Sequence, residues 1–99
     1  MDVAGFKASL AQEKPPRGIS AALAGLWWDA KGNWTEAHEA AQRQDDAAGA
    51  WVHAYLHRKE GDLENARYWY RRAGKPAATM ALAREWETIA EALLAAKNS

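Results

Sequence analysis

The chain has 99 residues, 13 basic and 13 acidic side chains, and no cysteine. This length suits one hydrophobic core and leaves no room for a second. The missing thiols exclude disulfides, thiolate metal sites and cysteine nucleophiles, and the balanced charge offers nucleic acid no overall attraction.

The opening run Met1-Asp2-Val3-Ala4-Gly5-Phe6 lacks the basic and apolar regions of a secretory signal, and no stretch approaches the roughly 18 apolar residues of a membrane span. These absences, with the lack of cysteine, set the expectation of a cytoplasmic protein without membrane association. Tryptophan is the compositional outlier, at six residues against one phenylalanine. On an alanine-rich helical background such rings are expected mainly as core fillers, with one or two lining a groove.

In chain order, alanine, leucine and long charged residues dominate and no alternating β-branched run occurs, so every element is expected to be helical. A first helix in 1–14 breaks at Lys14-Pro15-Pro16-Arg17-Gly18. A second runs from about Ile19 to Ala30 and stops at Lys31-Gly32. Asn33 is placed to cap a third helix, from about Trp34 to Gln44, with Glu36 completing a capping-box pattern. Asp45 and Asp46 mark the start of the fourth, about Ala47 to Lys59, which stops at Gly61. Asp62 caps the fifth, about Leu63 to Ala73, whose apolar stripe is Leu63, Ala66, Tyr70 and Ala73; Gly74 ends it. The last helix is expected over 76–97, with Pro76 in its first turn and Leu82, Trp86, Ile89 and Leu93 on one buried face.

A repeat organises these elements. Gly32-Asn33-Trp34-x-x-Ala37 aligns with Gly61-Asp62-Leu63-x-x-Ala66 at an offset of 29 residues, and Leu23, Leu26 and Trp27 then match Val52, Tyr55 and Leu56. Each unit is two helices around a Gly-Asn or Gly-Asp turn, with an alanine that allows close helix approach. The expected architecture is all-α, with stacked antiparallel helical hairpins of five to six helices: hairpins over 19–45 and 46–74, preceded by 1–14 and capped by 76–97.

The stretch from Glu60 to Gly74, with its Ala66-Arg67-Tyr68-Trp69-Tyr70-Arg71-Arg72-Ala73 run, resembles the second half of a tetratricopeptide repeat, and more closely its Sel-type variant. The longer string Val52-His53-Ala54-Tyr55-Leu56-His57-Arg58-Lys59-Glu60 through Gly74 also resembles the signature of a bacterial family without an assigned activity. The pattern departs at Ala41, Gln44, His53 and His57, and the 29-residue offset is shorter than the roughly 34 residues of the repeat. The resemblance implies a helical groove that holds peptides or partner proteins, and no catalytic residues.

Three constellations stand out. His53 and His57 lie one turn apart with Glu60 three further on, a spacing that lets two imidazoles share one zinc or nickel ion. The third histidine, His38, is the remaining candidate ligand. Arg67 and Arg71 are also one turn apart and suit paired hydrogen bonding to a carboxylate or phosphate. Trp28 occupies the repeat position of His57 and is expected as an aromatic wall. Ser9, Ser20 and Ser99 have no activating context, so no catalytic group and no cofactor are expected. The leading expectation is therefore a non-catalytic module recognising a peptide, carboxylate or partner protein through His53, His57, Glu60, Arg67, Arg71 and Trp28. The alternative is a metal or small-molecule site, with hydrolytic chemistry in reach, centred on His53 and His57. Self-association is a third expectation, through a second face of the last helix (Ala83, Ala90, Leu94).

Overall fold

The computed structural model describes residues 1–97. Its helices are α1 (Val3–Ala8), extended by a 3-10 turn at Ser9–Ala11, then α2 (Ala21–Ala30), α3 (Trp34–Arg43), α4 (Ala47–Glu60), α5 (Leu63–Ala73) and α6 (Leu82–Lys97). No strand occurs among the described residues.

Local chemistry sets most boundaries. Asp2, Ser20, Asn33, Asp46 and Asp62 each accept a hydrogen bond from the backbone N–H three residues on, which satisfies a donor the helix itself leaves open. Gly61 and Gly74 close α4 and α5 at φ of 91° and 71°, a left-handed conformation in which any Cβ is strained.

Residues 31–33 fold α3 back on α2, and residues 61–62 fold α5 back on α4, giving two antiparallel hairpins. The 29-residue offset carries α2 and α3 onto 50–59 and 63–72, inside α4 and α5. The matched pairs Leu23/Val52, Leu26/Tyr55, Trp27/Leu56 and Ala37/Ala66 are all buried. Small residues mark the closest approach: a Cβ on Gly25 would stand 3.2 Å from the Ala37 carbonyl oxygen and 3.1 Å from Val52.

The main core gathers Phe6, Leu23, Leu26, Trp27, Val52, Leu56, Trp86 and Ile89 from α1, α2, α4 and α6. Burying each such side chain contributes roughly 1.5–3 kcal/mol. The two buried indoles keep their polar ends satisfied: Trp27 donates to Ser9 Oγ at 3.1 Å and Trp86 to the Leu26 carbonyl at 2.9 Å. A smaller cluster, Ala54, Ala66 and Tyr70, holds the second hairpin together.

The structure departs from the sequence expectation at four places. The first helix is Val3–Ala8 plus its 3-10 turn at Ser9–Ala11, shorter than the expected 1–14. The last helix begins at Leu82, not at Pro76, and 75–81 is a non-helical connector. The reason is tertiary. Glu85, 2% exposed, accepts from Arg58 Nη1 at 2.8 Å and from the Tyr70 hydroxyl, while Arg58 Nη2 donates to the Met80 carbonyl. Together these fasten the start of α6 to α4 and α5. Third, Leu63 is 54% exposed and leaves the α5 stripe to Ala66, Tyr70 and Ala73. Fourth, Ala90 and Leu94 are buried in the main core, so of the face expected to dock a second copy only Ala83 is exposed.

Candidate functional site

The two hairpins meet along α3 and α4, and that seam is where the histidines converge. Their spacing on α4 follows from the helix period: His53 and His57 are one turn apart and point to the same side. Their rings stack at 4.8 Å between centroids. From α3, His38 turns its ring edge-on to both, at 4.5 Å from His53 and 5.3 Å from His57. One ring nitrogen from each lies within 4.8 Å of the other two. His53 and His57 are 4% and 6% exposed, and His38 is half-buried.

Aromatic rings hold these imidazoles in place. Trp34, one turn before His38 on α3, stacks on it at 4.8 Å. Trp69 of α5 stacks on His53 at 3.9 Å with the planes 14° apart. Hydrogen bonds orient the rings further. His53 Nε2 and His38 Nε2 are 2.9 Å apart, so one donates to the other. His57 Nδ1 donates to Glu60 Oε1 at 2.6 Å, which leaves its Nε2 to accept from Asn65 Nδ2 at 3.4 Å.

Burial lowers the proton affinity of His53 and of His38. His53 is pushed down to about 4, first by loss of solvent and then by His38 and His57 beside it. His38 is lowered by the same two effects, burial before the neighbouring His57. At neutral pH His53 is therefore an uncharged ring with one of its two nitrogens unprotonated.

His38, His53, His57 and Glu60 come together; the other sequence candidates lie elsewhere. Arg67 and Arg71 are exposed, with no hydrogen bond or ion pair among the described residues. At 100° per residue each is about 160° around α5 from Trp69, which faces His53. Trp28 packs edge-on against Trp27 at 5.0 Å in the main core. Repeat equivalence puts Trp28 at the matching place in its own hairpin, one unit away from His57. The walls that sequence reasoning missed are Trp34 and Trp69, with Asn65 at the side. Their signal was present: Trp34 and His38 are four apart, and Asn65, Trp69 and Arg72 advance by four and three along one helix face.

Beside His53 a cleft of about 380 Å³ opens between the α3–α4 turn and α5, lined also by Gln42, Asp45, Asp46, Trp69 and Arg72. Arg72 lies over the Trp69 ring at 5.1 Å. In comparisons with known proteins, no family model, no curated protein and no solved structure matches this chain. The site therefore rests on its own geometry.

The serines have structural partners. Ser9 donates to the Phe6 carbonyl at 2.6 Å and accepts from Trp27, and Ser20 caps α2. Ser99 lies outside the described residues. No helix among the described residues is long and apolar enough to cross a membrane.

Proposed function

We propose that this protein binds a divalent transition-metal ion through His38, His53 and His57, on a scaffold of two repeated helical hairpins. The observation that carries the reading is the meeting of three ring nitrogens within 4.8 Å from two adjacent helices. Tetrahedral zinc with bonds of about 2.0–2.1 Å holds its nitrogens roughly 3.3 Å apart. Loading thus asks the proton shared by the 2.9 Å His38–His53 pair to move to its ring's Nδ1, the pair to open by a few tenths of an ångström and His57 to close in.

Three further features support it. Glu60 fixes the proton of His57 on Nδ1 and leaves Nε2 unprotonated, held only by the long 3.4 Å contact with Asn65, the carboxylate–imidazole arrangement that orients metal-bound histidines. Stacking on Trp34 and Trp69 limits the rings to small adjustments. Neutral imidazoles favour zinc, nickel, copper or cobalt over magnesium and calcium, which prefer oxygen. Three protein ligands leave a fourth position for water or an incoming group.

Metal analysis and titration of untagged protein test the proposal. One zinc or nickel ion per chain is expected, with micromolar or tighter affinity, no response to magnesium, and loss of binding in His53→Ala. Protein that takes up no stoichiometric ion, or a His53→Ala variant that binds as well, refutes it.

A peptide-binding module is the second reading, favoured by the cleft beside His53 with its Trp69 and Arg72 walls. An acidic peptide that binds metal-free protein and is lost in Arg72→Ala would support it. The Arg67→Ala/Arg71→Ala double variant tests whether the outer face of α5 takes part.

A further inference from the structure

A second cleft lies away from the histidines, where α1, the ends of α2 and α4, and the start of α6 meet. It is a cleft of about 700 Å³ lined by Leu10, Ala30, Leu82 and Trp86 among others. That size falls within the range of small-molecule sites. Its aromatic floor is rigid, because Trp86 is held by its bond to the Leu26 carbonyl and by Phe6 stacked on it at 5.6 Å.

Charge is distributed unevenly around this apolar space. Lys7, Lys59 and Arg84 face Asp29 and Glu87, three cations against two carboxylates. Four of the five are committed to each other. Buried Asp29 takes Lys59 Nζ and the Tyr55 hydroxyl, each at 2.9 Å, and Lys7 pairs with Glu87. The Arg84 guanidinium makes no hydrogen bond or ion pair among the described residues; its charge reaches Glu87, which Lys7 already pairs, so the set keeps one positive charge in excess.

From this we infer that the cleft is a binding site for a small organic monoanion, a carboxylate on an apolar chain or ring. The apolar body lies against Leu82 and Trp86, and the carboxylate takes the paired N–H donors of Arg84. A neutral ligand leaves that cation uncompensated. A short acid has no apolar surface to bury, and a dianion exceeds the single unmatched charge. The site shares no residue with the three histidines, so the two stand or fall separately.

Calorimetric titration with decanoate, decanol and acetate tests the inference. Decanoate is expected to bind at least tenfold tighter than decanol, and acetate not measurably. Arg84→Ala should bring decanoate down to the decanol level. Ala30→Trp, which fills the cleft from an exposed helix end, should abolish binding of both while the circular dichroism spectrum stays helical. Equal affinity for decanoate and decanol, an Arg84→Ala variant that keeps the preference, or an Ala30→Trp variant that binds normally overturns it.

Discussion

Acid should weaken the native state through His53, and the size of the effect follows from its surroundings. In the unfolded chain this histidine titrates near 6.5; in the folded chain burial and two neighbouring imidazoles hold it down to about 4. Between those values the unfolded chain carries a proton that the native site refuses. Stability is therefore full above pH 6.5 and declines as pH falls toward 4. At 1.36 kcal/mol per pH unit, the interval costs about 3 kcal/mol, a large part of the ~5–15 kcal/mol typical of such domains. His38, also lowered, contributes with the same sign. Urea unfolding of metal-free protein at several pH values, followed by circular dichroism, measures the loss. His53→Phe supplies the reference, since it keeps a flat ring over Trp69 and removes the titrating group; carboxylates elsewhere affect both proteins alike. The wild type should lose about 2–3 kcal/mol more than the variant between pH 6.5 and 4. Two profiles that run parallel to within about 0.5 kcal/mol would show that His53 does not resist protonation.

Glu85→Ala should destabilise the fold by about 3–5 kcal/mol, because it strands half-buried Arg58 and leaves the Tyr70 hydroxyl without its acceptor. Lys7→Ala, which breaks the exposed pair with Glu87, should leave the unfolding midpoint nearly unchanged in the same denaturation assay, because solvent screens such a pair. Glu60→Gln should weaken zinc binding about 10–100-fold while leaving metal-free stability nearly unchanged, as calorimetry and thermal melts would record. Gly25→Val should cost at least about 1–3 kcal/mol in the melting curve, since its side chain meets the Ala37 carbonyl and Val52 across the closest helix approach.

Much of the fold was legible in the sequence because it is governed by neighbours along the chain. Asn33, Asp46 and Asp62 cap donors three residues away, and Gly61 and Gly74 stop helices by their own conformation, so five helix positions could be read within a few residues. The 29-residue repeat likewise announced two hairpins, since Ala37 and Ala66 mark the same close approach in each. Two of the three histidines could be placed together for the same reason: a separation of four puts His53 and His57 on one side of a helix.

What the tertiary structure alone decided is which faces meet. Whether His38 reaches the other two depends on the seam between hairpins, and no spacing within α3 encodes the rotation of α4 against it. Arg67 and Arg71 looked equally placed to join them, yet α5 turns Asn65 and Trp69 inward and those arginines outward. Leu82, rather than Pro76, begins α6 because Glu85 finds Arg58 and Tyr70, partners 27 and 15 residues away. Ala90 and Leu94 are buried because α6 lies across both α2 and α4, contacts that depend on the path of 75–81 in space. Caps and periods act over one helical turn; convergence is set by how whole helices pack, and that information is spread over the entire chain.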